Sequence, residues 1–227
     1  MTNGPVSSLA ALLVFALHVG FAPSTNAAAP TLRTDMTGTT DCTILFDFTR
    51  AADRDAWGEQ NDTVMGGNSR GRIERTDSGL VFAGDLVTRD GGFVQMQARL
   101  PDGALTGMTG LRLVASGDGR PWRVRITTDT RVARTALRGR DDAAIGRSGV
   151  ELDGPRVAFA APVRNLGQGD PAPATVSMAN PDPSVRGCPV PEAVWEASRA
   201  RSMGFILSDG RDAPFRLTVR RIEVCRG

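Results

Sequence analysis

The sequence contains no lysine and no tyrosine: all 27 of its lysine-or-arginine positions are arginine, and its 1 histidine, His18, lies in an apolar run near the start. These absences narrow the chemistry. Arginine stays protonated at any working pH and does not serve as a general base, so proton transfer would fall to carboxylates or thiols. A Ser-His or Ser-Lys pair has no base once the segment carrying His18 is removed. The 3 cysteines show no C-x-x-C spacing. With imidazole also lacking, neither a zinc site nor a thioredoxin-like redox centre is expected, and no metal or cofactor is called for. A large excess of one charge is lacking too, the formal net charge being +2. Arginines alternate with acids, as in "RTDSG" and "DGRD". No basic run is interleaved with aromatic rings, so nucleic acid is not an expected partner.

What is present begins with an uncharged apolar stretch, Leu9 to Ala22, followed by Pro23, Ser24, Thr25 and Ala27. It has the length and the small-residue ending of a secretory signal peptide and is too short to span a bilayer comfortably. The expectation is a signal peptide over 1–28, a flexible linker over 29–41 and a single domain over 42–227, in the periplasm or secreted. No cysteine directly follows the apolar run, so a lipid anchor is not indicated. About 200 residues remain for the domain, enough for one sizeable core. In an oxidising compartment one disulfide is expected among Cys42, Cys188 and Cys225, and the sequence alone allows each of the possible pairs.

Short runs rich in β-formers recur: Thr43 to Phe48, Leu80 to Val87, Gly92 to Leu100, Gly110 to Ser116, Pro121 to Thr128, Arg156 to Val163, Met203 to Ser208 and Pro214 to Val224. In the fifth, Trp122, Val124 and Ile126 alternate with Arg123, Arg125 and Thr127, the signature of a strand with one buried face. Turn signals such as "RDGG" and "SGDGRP" separate the runs. Many short strands punctuated in this way predict an all-β fold, an antiparallel β-sandwich of jelly-roll type. A Pro-rich insertion is expected at about 164–190, and only Pro191 to Ala200 reads as a helix, with proline in its first turn.

Gly67 to Gly71 fits the G-x-S-x-G pattern of a hydrolase nucleophile elbow, with Ser69 at its centre. The pattern requires a helix after the serine and a base within reach. The residues that follow Ser69 carry no helical periodicity, and no histidine or lysine is at hand. No catalytic residue is therefore assigned, and the chain is not expected to be an enzyme.

Read more widely, Trp57, Asn61-Asp62, Val64-Met65-Gly66-Gly67 and Ser69 resemble the signature of the complex I intermediate-associated protein 30 family. The resemblance continues in order through Phe82 and Gly84, Gly91-Gly92-Phe93, Gly110-Leu111, Gly117-Asp118-Gly119-Arg120, Met203 to Ile206 and Pro214 to Leu217. It covers Phe46 to about Thr128 and Ser202 to Val224; the stretch from Arg138 to Arg201 departs from the family's aromatic-rich middle. The resemblance implies a galactose-binding-like jelly roll, a chaperone-like role in assembling respiratory complex I, and no known catalytic residue. In such jelly rolls the terminal strands lie side by side and antiparallel. That implies a bridge from Cys42 to Cys225, with Cys188 left over.

The motif residues also have a physical reading of their own. Asn61 and Asp62 suit Asx turns, and Gly66-Gly67 suits positive φ or close backbone approach, which makes a structural loop the favoured account of Asn61, Gly66, Gly67 and Ser69. The alternative is a ligand-facing rim that includes Met65, with Asp62 and Asp118 accepting hydrogen bonds from hydroxyls and Trp57 offering an exposed ring. Trp122 is expected in the core. Three functions follow: a non-catalytic binding or assembly module for a protein partner, such as membrane-complex subunits; a glycan-binding jelly roll; and a hydrolase using paired carboxylates. An aromatic-lined groove would favour the second, and a flat apolar patch the first.

Overall fold

Alternating burial along Val124, Ile126 and Thr128, with Arg123, Arg125 and Thr127 more open, is the local rule from which the molecule is built. The computed structural model describes residues 41–132 and 154–227. The expected signal peptide and nearly all of the expected linker lie outside the described residues.

The chain runs through β1 (Asp41–Asp47), a single helical turn α1 (Ala51–Asp55), β2 (Trp57–Asn61), β3 (Arg70–Thr76), β4 (Gly79–Leu86), β5 (Val94–Arg99), β6 (Met108–Gly117) and β7 (Arg123–Arg131). It continues with β8 (Arg156–Pro162), β9 (Ala172–Ser177), β10 (Asp182–Val185), β11 (Cys188–Pro189), β12 (Ala200–Leu207) and β13 (Ala213–Arg226). One 6-stranded sheet has the order β3-β4-β13-β6-β9, with β1 also on β13. The facing 7-stranded sheet has the order β11-β10-β8-β7-β12-β5-β2. The strand pairs are antiparallel, and the two sheets enclose one core, as expected of a jelly-roll β-sandwich.

The spine of the smaller sheet is β13. Its first half pairs with β4, from Ala213 opposite Leu86 to Val219 opposite Leu80. Its second half pairs with β1, which sets Cys42 directly opposite Cys225. A disulfide of 2.02 Å joins these two cysteines, as the family resemblance implies. Cys188 in β11 is a half-buried free thiol.

Two aromatic clusters fill the space between the sheets. Phe46 and Phe48 meet Trp57 edge-on at centroid distances of 5.4 Å, and Phe205 closes that group at 5.9 Å from Trp57. Phe82, Phe215 and Trp122 form the other, with Phe82 and Phe215 at 5.0 Å. Each fully buried ring contributes about 1.5–3 kcal/mol through area removed from water, with edge-to-face geometry adding to it.

All eight expected β runs appear as strands, but the helix expected over Pro191 to Ala200 does not. That segment opens on a turn in which the Ala193 N–H meets the Val190 carbonyl, then alternates exposed and half-buried residues with a period of two, and closes on a short 3-10 helix at Ala197–Arg199. Its anchor is Trp195, whose ring sits edge-on to Phe159 at 5.2 Å. A core contact on one side of an extended chain has overridden weak helix propensity. The Pro-rich 164–190 segment supplies β9, β10 and β11 to the two sheets. Pro173 and Pro189 lie in strands at sheet edges, where a missing N–H interrupts no ladder.

Candidate functional site

Asp62 is the centre of the motif loop. It opens the 3-10 turn Asp62–Met65 and is fully buried. Its Oδ1 accepts the Ser69 backbone N–H at 2.8 Å. Its Oδ2 accepts the Ser69 hydroxyl at 2.6 Å and the Gly92 N–H at 2.6 Å. Burial pushes the carboxyl pKa up, but the hydrogen bonds from the Ser69 hydroxyl and from the Gly92, Ser69 and Phe93 amides outweigh it and hold the group below its usual range. Both oxygens are engaged by the protein, so Asp62 offers nothing to a ligand hydroxyl.

The glycines around it have separate reasons. Gly66 ends the turn at φ 91°, a left-handed conformation that suits glycine. Gly67 is needed for space, since a Cβ there would lie 2.3 Å from the Asp62 Cγ, and one at Gly91 would lie 2.4 Å from the Asp62 Oδ2. Asn61 pairs its carboxamide with the backbone of Gly71 in both directions, at 3.1 Å each way, and so imitates a strand residue where β2 meets β3. Asn61 and Asp62 therefore bind backbone that is distant in sequence, in place of the local Asx turns expected.

Two further expectations are corrected here, those for Trp57 and Asp118. Trp57 is not an exposed ring: it starts β2 and is 1% exposed, because its neighbours Phe46, Phe48 and Phe205 take up its faces. Ser69 is buried, its hydroxyl tied to Asp62 and accepting the Val87 N–H at 3.0 Å, and β3 follows it in place of a helix. Asp118 is also structural. It accepts the Arg120 N–H at 3.1 Å, the Trp122 indole N–H at 3.2 Å and the Arg216 N–H at 2.7 Å. It thus belongs to a separate corner and not to the Asp62 loop. Of the motif residues, Met65 stands out in solvent beside Val64. Trp122 lies in the core as expected.

Arg120, quoted above only as part of a motif, organises that second corner. Its Nε reaches Asp209 Oδ2 at 3.0 Å and its Nη2 reaches Asp209 Oδ1 at 2.5 Å, with both side chains buried. The remaining guanidinium protons go to the carbonyls of Ala213, Pro214 and Arg211. The Arg120 hydrogen bond is the chief reason that the Asp209 carboxyl is held below its usual pKa. A buried, fully satisfied bidentate pair of this kind fixes the β12–β13 connection.

The outer face of the 7-stranded sheet is different. Val94, Met96 and Ala98 of β5 point into the core, which turns Gln95 and Gln97 to the opposite face, where Gln95 is buried and Gln97 half-buried. Gln95 Nε2 donates to Gln97 Oε1 at 2.7 Å, and Gln97 Nε2 donates to Gln60 Oε1 at 2.8 Å, a carboxamide ladder across β5 and β2. Two strands away, Arg125 of β7 lies opposite Gly204 of β12, which in turn lies opposite Gln97. With no side chain at Gly204, the half-buried Arg125 extends over the sheet towards Gln95 Oε1, at a long 3.4 Å. No carboxylate among the described residues neutralises it, and burial lowers its pKa. The neighbouring Arg123 differs, being paired with Asp182 and with the Ala160 carbonyl. The alternation in "VQMQ" and "RVRIT" puts these side chains outward, but which strands stand side by side is not written in either run.

Neither feature that would discriminate the candidate functions is present in its simple form. No aromatic ring among the described residues is exposed; the exposed large apolar side chains are Ile44, Val64, Met65 and Val194.

The fold is shared with carbohydrate-binding modules. The family 11 carbohydrate-binding module of the cellulosomal cellulase Lic26A-Cel5E of Clostridium thermocellum superposes with a TM-score of 0.52 at 13% identity, covering 83% of this chain and 96% of that one. The family 11 module from Clostridium thermocellum in complex with a β-1,3-1,4-mixed-linked tetrasaccharide gives 0.50 at 13% identity, covering 82% and 96%. At such identity the likeness is one of fold alone. No curated protein matches the sequence. The sequence does match the family described as complex I intermediate-associated protein 30 over residues 46–219, a span that takes in the Asp62 loop, the Arg120 corner and the whole carboxamide face. By that match the chain belongs to the complex I intermediate-associated protein 30 family.

Proposed function

We propose that this chain is a non-catalytic binding module, exported to the periplasm or beyond, that holds a protein partner as an assembly factor does. The observation that carries this reading is the outer face of the 7-stranded sheet, where Arg125, Gln97 and Gln60, backed by the buried Gln95, present hydrogen-bonding groups beside no candidate nucleophile or base among the described residues. The only serine with a hydrolase-like motif is buried and committed to Asp62. Family membership supports the assembly role, and the apolar stretch before Pro23 supports export. Neutral glycans are commonly gripped by stacking sugar rings on exposed aromatic faces, and no such ring is exposed among the described residues.

The test is capture of the tagged, full-length protein from detergent-solubilised membranes after mild cross-linking. Recovery of complex I subunits supports the assembly role. Recovery of wall or outer-membrane polysaccharide without protein overturns it in favour of a glycan-binding module. Fractionation of the same cells checks export, which is refuted by full-length protein retained in the cytoplasm.

A further inference from the structure

Building on the reading of this face as the recognition surface, we propose that Arg125 receives a side-chain carboxylate from an extended acidic segment of the partner protein, laid across the carboxamide ladder of the 7-stranded sheet.

Charge is the first support. Among the described residues Arg125, half-buried, has no acidic partner, and its hydrogen bond is the long one to Gln95. Arg99, which shares a side of β5 with Gln95 and Gln97, is exposed and makes no ion pair with a described residue. The carboxylates around this face are already taken, Asp182 by Arg123 and Asp129 by Arg199 and Arg201. Among the described residues the face therefore carries uncompensated positive charge. A guanidinium kept half out of water without a counter-ion is costly, and a planar carboxylate meets its fork in two parallel hydrogen bonds. A phosphate or nucleic-acid site would call for several converging cations, and here Arg123 is occupied.

The ladder supplies the second support, because a carboxamide offers one acceptor and two donors in the same plane as a peptide group. This molecule already uses that match: the Asn61 carboxamide pairs in both directions with the backbone of Gly71. Gln60 ends the ladder with its amide nitrogen unengaged by any described residue. An extended peptide crossing β2 and β5 towards β7 would thus find an amide partner at Gln60 and a cation at Arg125, whose reach to Gln95 passes the buried Gly204. A uronic acid polymer could satisfy the cation, but among the described residues its rings would find no exposed aromatic face, Phe93 being half-buried.

The experiment uses the full chain at low salt, titrated with a capped glutamate-rich decapeptide, with lysine-rich and serine-rich decapeptides, oligogalacturonate and mixed-linked β-glucan as competitors. Backbone amide shifts and calorimetry are the readouts. The expected result is binding of the acidic peptide alone, with shifts centred on β5, β7 and β12. Affinity should fall at least tenfold in Arg125→Gln and be unchanged in Arg72→Gln, on the other sheet. Arg125→Lys, which keeps the charge but loses the fork, should fall between. Equal affinity in Arg125→Gln with an unchanged thermal midpoint, tighter binding of oligogalacturonate, or no acidic-peptide binding would each overturn the proposal. A failed peptide titration with complex I subunits still captured would remove this contact and leave the assembly reading intact.

Discussion

The Asp62 loop and the Arg125 face are both polar and both at least partly withdrawn from water, yet one is closed and the other open. Around Asp62 each donor has its acceptor: Ser69, Gly92 and the turn leave no polar atom of the carboxylate to spare. At Arg125 a guanidinium meets, among the described residues, only a distant carboxamide oxygen. A buried group that is satisfied internally holds the fold, and one left short of partners is available for binding. The most distinctive words of the sequence therefore specify how the chain folds, while the recognition surface we propose sits on two ordinary alternating strands.

That contrast can be tested by removing groups from each side. The scale is set by the disulfide, which belongs to neither region. Cys42→Ser with Cys225→Ser should cost on the order of 5 kcal/mol at most in urea unfolding, since it frees a closure spanning a sequence separation of 183. An unchanged midpoint in oxidising buffer would show that the bridge does not form in solution.

On the closed side, Arg120→Ala should destabilise by about 3–5 kcal/mol, because Asp209 is left buried without its partner. A loss below about 1 kcal/mol would place that pair among ordinary surface ion pairs. Asp62→Asn should cost about 1–3 kcal/mol, as one of the amides at Ser69 or Gly92 then faces an NH2 group. Gly67→Val should be of similar size because its Cβ would meet Asp62.

The pH dependence separates charge from shape at Asp62. Its pKa is lower folded than unfolded, so its stabilisation is complete above the unfolded value, about 3.9, and is lost as pH falls through the folded one. The stability gap between wild type and Asp62→Asn should therefore narrow on acidification below about pH 4. Subtracting the two curves removes Asp209, which is depressed in both proteins. A gap constant with pH would mean that the carboxylate is not the stabilising form.

The smallest effect belongs to the open side. Arg125→Gln should leave stability within about 0.5 kcal/mol of wild type, measured by thermal and urea unfolding. A loss above about 1 kcal/mol would make Arg125 another structural group and dissolve the contrast.

Alternation made the strands legible: Trp122, Val124 and Ile126 inside, Arg123 and Arg125 outside, as the sequence implies. It failed for β3, where "RGRIERT" holds one half-buried apolar residue, Ile73, and is held chiefly by pairing with β4. Trp57 was misleading because its local neighbours are polar, whereas the rings that bury it come from β1, the turn after it and β12. The site had the same difficulty. Gln97, Gly204 and Arg125 become neighbours through pairings between strands far apart in the chain, and only a sheet order reveals them.

The bond between Cys42 and Cys225 also decides how the domain bears load. A pull applied at Asp41 and Arg226 reaches the sulfur bridge before any of the strands between, so tension passes from tether to tether through a covalent link while the sandwich itself goes slack. Oxidised, the domain behaves under force as a short inextensible rivet. Reduced, its two ends are drawn apart along β1 and β13, and a sequence separation of 183 becomes slack chain of roughly 600 Å at full extension. A stretching trace in the presence and absence of reductant would read that change as a new step in contour length.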